Sequence, residues 1–151
     1  MKLDIRDAKE TDFDALIAIG RKFWQFNPYR HDSTLDEGSL RDTLAMLIDS
    51  HVLIVAEVDG QVVGAAGAFI APVYWNKSEL QGIEFFWWID PEYRGNGAGR
   101  VLRYELQTRA KQNGVKFWNM IALEDSMPDE VGAMYLKDGM RLIEHSYMKV
   151  I

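Results

Sequence analysis

This 151-residue sequence predicts a mixed β-sheet with helices on its faces, and three observations lead there. First, segments of strand length rich in Val, Ile and aromatics alternate with segments whose apolar residues recur every three or four positions, in the order β-α-α-β-β-β-α-β-α-β. Second, the apolar runs "HVLIVAEV" and "QVVGAAGAFIAPV" are joined by Asp59-Gly60, a pair that tolerates the left-handed backbone of a tight hairpin. Third, "IEFFWWI", a glycine-rich turn, a helical stripe and "KFWNMIAL" follow one another as a β-α-β unit, which makes its two strands parallel.

Taken in order, "LDIRDA" (3–8) reads as a first strand. Thr11 caps a helix carrying Phe13, Leu16, Ile17 and Phe23 on one stripe, and Pro28 ends it. Residues 35–48 form a second helix with Leu40, Leu44 and Leu47 on one side. After the hairpin comes a looser stretch, "YWNKSELQG", and then residues 83–90, whose unbroken apolar run marks a strand covered on both faces. A helix over residues 98–112 places Leu102, Leu106 and Ala110 four apart and stops at Asn113-Gly114. "KFWNMIAL" (116–123) is the parallel strand, and a short helix over residues 129–138 is announced by Ser126 and Asp129 and ended by Gly139. "RLIEHSYMKVI" supplies one or two closing strands. With 48% apolar and 12% aromatic residues and no repeat or linker, residues 1–151 read as a single domain.

Composition excludes several functions. No apolar run is long enough to span a bilayer, and "MKLDIRDAKE" lacks the apolar core of a secretory signal, so a cytoplasmic protein without a membrane role is expected. The absence of cysteine removes disulfides, thiolate metal sites and an acyl-cysteine intermediate. Seventeen basic against 23 acidic residues give a net charge of −6, which disfavours nucleic acid as a partner. His31, His51 and His145 have no metal-ligand spacing, so no metal is expected.

The turn "DPEYRGNGAGR" (90–100) carries the chemistry. A glycine-rich turn entering a helix offers unpaired N–H groups and the positive end of the helix dipole, a cradle for phosphate. Arg94, Arg100 and Arg103 crowd that positive end where acids are usual, a conflict that an anion would relieve. No Lys-Ser/Thr follows the glycines, and their spacing is not that of a dinucleotide fold.

Arg94-x-x-Gly97-x-Gly99, the phrase "WIDPEYRGNGAGR", the "MYLKDGM" ending of the last helix and the element order resemble the GNAT superfamily of N-acetyltransferases, the small single-domain bacterial and phage type most of all. The resemblance spans nearly the whole chain and implies the family's acyl-CoA N-acyltransferase fold. It implies acetyl-CoA as cosubstrate, its diphosphate held by amides of Arg94, Gly95, Asn96, Gly97, Ala98, Gly99 and Arg100. The pantetheine arm would lie along backbone near Trp87, Trp88 and Ile89, in a splay opened by a bulge. It also implies a base at Glu84, where burial would raise the carboxyl pKa, and a proton donor at Tyr135, four residues before Gly139. Each has a structural alternative, Glu84 as a solvated strand-end acid and Tyr135 as a core residue. His31 is an alternative base. The family often carries an Asn where this chain has Pro128, a contact that Asn119 or Ser126 would have to supply.

The reaction so implied is direct transfer to an amine, on a small molecule or a protein, in a ternary complex. A catalytically silent acyl-CoA-binding module on the same fold is the alternative. Acids in "HDSTLDEG" and "EDSMPDE" suggest a cationic acceptor. A homodimer stays open.

Overall fold

The computed structural model describes residues 2–151. Five strands lie side by side in sequence order: β1 (Leu3–Asp7), β2 (Val52–Val58), β3 (Gln61–Val73), β4 (Asn76–Ile89) and β5 (Val115–Asn119). The first four are antiparallel, and β5 runs parallel to β4. Between β1 and β2 come helices α1 (Phe13–Trp24) and α2 (Glu37–Ser50); α3 (Ala98–Gln112) connects β4 to β5, and α4 (Pro128–Lys137) follows.

Strand alternation divides the apolar residues between two cores. Leu53 and Val55 of β2 and Phe86 and Trp88 of β4 pack with Leu16 and Ile17 of α1 and Leu44 and Leu47 of α2. The opposite face, with Ile54, Ala66 and Ile89, meets Leu102 and Leu106 of α3, both fully buried. Each of those two leucines contributes about 2 kcal/mol by leaving water. The β2–β3 turn is as the sequence predicts, with both Asp59 (φ 51°) and Gly60 (φ 78°) left-handed.

Four expectations are corrected. The looser stretch after β3 is the first half of β4, which begins at Asn76 and makes the β3–β4 hairpin long. α4 is not capped by Ser126: Met127 holds the N-cap position at φ 46° without a side-chain bond, and Pro128 takes the first helical position, where its missing N–H costs nothing. β5 stops at Asn119 rather than running to residue 123, because its only partner, β4, turns away there. The closing strands do not form. Beyond Met140 every residue is exposed and none pairs with a strand of its own chain, since the segment leaves α4 without lying along the sheet.

Candidate active site

The site is built on a fork in the sheet. β4 pairs with β5 from Leu80–Val115 to Ile83–Asn119, and beyond Ile83 the two parallel strands separate. On its other side β4 stays zipped to β3 through Ile89, opposite Gly64. Ala68 faces Glu84 while Gly67 faces Phe86, so Phe85 is the extra residue of a β-bulge. A bulge bends a strand, and this one lies where β4 leaves β5. Residues 84–89 therefore have backbone polar groups on the open side with no strand partner, in a position that would otherwise demand one. Trp87, Trp88 and Ile89 occupy that stretch. Their side chains are divided between the two cores, Trp87 and Ile89 toward α3 and Trp88 toward α1.

At the open end β4 runs into the glycine turn. Gly95 and Gly97 both have φ 86°, a conformation that L-residues with side chains resist, and Gly97 is the N-cap of α3. Gly99 is crowded rather than strained: a Cβ there would lie 3.3 Å from the Trp87 ring, a tight contact. Two of the seven amides expected to face an anion are engaged, Arg94 N–H with the Pro91 carbonyl (3.2 Å) and Ala98 N–H with Asn96 Oδ1 (3.2 Å). Those of Gly95, Asn96, Gly97, Gly99 and Arg100 make no hydrogen bond among the described residues. Five free amides at the head of a 15-residue helix without an acid in its first turn fit a diphosphate.

The arginines need no anion to explain them all. Arg94 donates from Nε to the Ile89 carbonyl at 2.7 Å and stacks on Trp88, while Arg103 is buried in an ion pair with Asp138 at 2.9 Å. Arg100 stacks on Tyr104 and makes no ion pair with a carboxylate among the described residues.

Glu84 sits at the crotch of the fork, 5% exposed. Its partner across the β3 ladder, Ala68, belongs to the α3-side core, which puts Glu84 on the same face as Trp87. Burial pushes its carboxyl pKa up to about 8, against a small opposing pull from the Ile121 amide. The solvated reading of this acid is thereby excluded. Tyr135, on α4, accepts a hydrogen bond from Trp87 Nε1 at 3.1 Å and donates its own to the Ile121 carbonyl at 3.0 Å. Burial, and then repulsion by an ionised Glu84, push its pKa up to about 12, while the Arg103 cation pulls it down. One peptide stretch around Ile121, continuing from β5, thus touches both candidate catalytic groups.

The other candidates fall outside this cluster. His31 is exposed in the turn after α1, its Nε2 3.8 Å from Asp125. Asn119 donates to the Gly82 carbonyl at 3.1 Å, across the last rung of the β4–β5 ladder, and so braces the fork. Sequence reasoning missed the indole of Trp87, the Ile121 peptide and the buried Arg103–Asp138 pair. The pair spans 35 residues, and only Arg103 falling on the Leu102–Leu106 side of α3 hinted at its burial.

With that geometry in hand, comparison with known proteins is direct. A family model described as the acetyltransferase (GNAT) family matches residues 13–136. An acetyltransferase of Pectobacterium atrosepticum is 24% identical over 135 residues, covering 89% of this chain and 85% of that protein. An acetyltransferase from Clostridium acetobutylicum, solved with acetyl-CoA, superposes with a TM-score of 0.75 at 20% identity, over 99% of this chain and 96% of the other. An aminoglycoside N-acetyltransferase in complex with CoA gives 0.77 at 15% identity, over 99% and 95%. Likeness this distant establishes the fold, and strand order and helix placement agree throughout.

Proposed function

The chain belongs to the acetyltransferase (GNAT) family, and on that premise we propose that it transfers acetyl from acetyl-CoA directly to an amine held in the same complex. The observation that carries this reading is the fork, with the buried carboxyl of Glu84 where β4 and β5 part and Tyr135 on the same face. The open backbone of Trp87, Trp88 and Ile89 would hold the pantetheine arm, and the five free turn amides the diphosphate. When bound, acetyl-CoA supplies an electrophilic thioester carbon and a sulfur that departs as thiolate.

The residues of the chain manage the protons. An amine attacks only as the free base, and a lysine-like amine has a pKa of about 10. A Glu84 carboxyl near 8 is far better matched to that proton than an ordinary carboxylate. Taking up the proton neutralises Glu84, and this removes the repulsion that makes Tyr135 a reluctant donor. Tyr135 becomes the readier acid at the moment when the sulfur needs a hydrogen bond. Trp87 fixes the phenol oxygen, and the hydroxyl hydrogen, resting on Ile121, is the one it can redirect.

Initial-rate kinetics with a thiol-reactive dye test the proposal across a panel of small amines and peptides. Direct transfer gives intersecting lines when acetyl-CoA and amine are varied together. Parallel lines would mean an acyl-enzyme and refute it. Tight acetyl-CoA binding without thiol release from any amine would mark a silent acyl-CoA-binding module.

A further inference from the structure

Of the five residues that α3 buries, four are apolar and the fifth is Arg103. Its side chain is 7% exposed, and its Nε–H is buried without a hydrogen-bond partner among the described residues. A guanidinium taken out of water with a donor unsatisfied is costly, and a methionine or leucine would fill the same space without that cost. A local conflict of this kind is expected where a residue serves the reaction rather than the fold.

The neighbours of Arg103 show what it serves. Its Cζ lies 5.5 Å from the centre of the Trp87 ring and 5.8 Å from that of the Tyr135 ring. Those two side chains share the hydrogen bond that Trp87 Nε1 donates to the Tyr135 hydroxyl. Arg103 Nη1 pairs with Asp138 at 2.9 Å, and Asp138 also accepts from the Tyr104 hydroxyl at 3.0 Å. Asp138 is the C-cap of α4, three residues after Tyr135. One arginine therefore ties the helix that carries Tyr135 to the helix whose head is the glycine turn. The cavity that Arg103 lines with Trp118, Met120 and Met140 measures only about 10 Å³, room for one water and for no substrate group. The guanidinium thus acts on its neighbours and not on a ligand in that cavity.

Granting Tyr135 as the acid of the proposed transfer, we propose that Arg103 is a positioning residue for it: the cation, held against the Trp87 and Tyr135 rings by Asp138, places the Tyr135 hydroxyl and stabilises the negative charge that forms on it. When the thioester C–S bond breaks, its electron pair stays with sulfur. Tyr135 gives that sulfur its proton and is left as a phenolate. A fixed cation beside the ring favours this state and needs no rearrangement at the moment of reaction. Burial and then an ionised Glu84 push the Tyr135 pKa up, and the Trp87 bond and the Arg103 cation draw it down. Asp138 carries the opposite charge. Removing either member of the pair breaks the same contact but moves the charge near Tyr135 in opposite directions.

Single-turnover release of thiol from acetyl-CoA, with the best acceptor of the amine panel at saturation, reads the chemical step. Arg103→Met should slow it about 10-fold, while calorimetry finds acetyl-CoA affinity unchanged. In a Tyr135→Phe background the same substitution should cost less than about twofold, since no hydroxyl is left to serve. Arg103→Lys should recover most of the rate by keeping the charge. Asp138→Asn should raise the rate about two- to threefold, although it breaks the same ion pair and lowers the melting temperature as Arg103→Met does. An equal loss from Arg103→Met in both backgrounds, Arg103→Lys as slow as Arg103→Met, or Asp138→Asn slowed alongside Arg103→Met would each make the pair a strut and overturn the proposal. Should Arg103→Met not fold, Arg103→Lys and Asp138→Asn decide the matter by the same criteria against the parent. A Tyr135→Phe protein as fast as the parent would instead remove the acid itself, a failure of the proposed function that is distinct from a failure at Arg103.

Discussion

From residue 80 to 83, β4 is bonded to β3 on one side and β5 on the other; from 84 to 89 it has only β3. The open half supplies the two cores, through Phe86 and Trp88 on one face and Trp87 and Ile89 on the other, while residues 80–83 belong to neither. Their edges differ in the opposite sense. The closed half is held by Gly82 packed against the Trp118 ring and by Asn119 bonded to the Gly82 carbonyl. The open half offers bare backbone, and the one buried acid of the strand stands at the boundary. A sheet can make a ligand groove without an insertion by ceasing to pair, and a one-residue bulge is enough to start the divergence.

Removing the charge at the boundary should have the largest effect. Glu84→Gln is expected to lower kcat/KM by about 100- to 10,000-fold while leaving acetyl-CoA affinity intact. Only ionised Glu84 is a base, so the parent protein's kcat/KM should climb with pH to a limb near pH 8 that the variant lacks. Stability should run the other way. The folded pKa is raised from 4.5 to about 8, so Glu84 stabilises the fold fully below pH 4.5, and that contribution drains away as pH rises through 8. At pH 9 the parent should be less stable than Glu84→Gln by an amount on the order of several kcal/mol, while at pH 5 the gap closes. Thermal melts of both proteins at the two pH values read this directly; parallel pH dependence would dismiss the buried-carboxyl account.

Across the fork, Tyr135→Phe should cost about 10- to 1,000-fold in kcat with little change in acetyl-CoA affinity. It also strands the Trp87 indole N–H and the Ile121 carbonyl, so a loss of about 1–2 kcal/mol in stability is expected by denaturant titration. A loss of stability with full kcat would make Tyr135 a core residue after all.

At the open end of the groove, Gly97 is tested with Asn and Asp, which are the same size and both tolerate φ 86° better than other residues. Each should destabilise the fold by about 1 kcal/mol. Only Asp places a carboxylate among the free amides, so calorimetry should show acetyl-CoA bound at least about tenfold more weakly by Gly97→Asp than by Gly97→Asn. Equal affinities would remove the diphosphate from this turn.

What was legible in the sequence follows the same division between faces and edges. Periodicity reports which faces are covered, so Leu102, Leu106 and Ala110 placed α3 correctly, and the apolar run of β4 was rightly read as two-faced. Asp59-Gly60 and Gly97 were legible because a turn is written in adjacent residues. Edge pairing has no such local signature. The end of β5 at Asn119 and the unpaired tail were misjudged for that reason, since a strand-like composition does not say what lies beside it. The bulge at Phe85 was expected only from family resemblance, and the Arg103–Asp138 pair joins residues too distant for any spacing rule.

The smallest effect expected is at the acceptor. The two acidic stretches do meet, with His31 Nε2 3.8 Å from Asp125, and Arg30, just before the first stretch, donates to the same Asp125 carboxylate at 2.5 Å. Much of their charge is already committed: Asp36 caps α2 through Ser39, Glu37 pairs with Arg21, and Asp125 with Arg30. Asp32, Glu124, Asp129 and Glu130 form no ion pair among the described residues. A field from four exposed carboxylates steers rather than binds, so its mark should be on kcat/KM, with kcat unmoved. Cationic amines should be favoured over neutral ones of similar size by a few-fold at low salt. That preference should fade as the screening length falls from about 30 Å at 0.01 M to about 8 Å at 0.15 M. Replacing Asp129 and Glu130 together by Asn and Gln should flatten the salt dependence without touching the fork. A cationic preference that persists unchanged at high salt would instead argue for a buried acid in direct contact with the amine, and Glu84 is the buried acid of the fork.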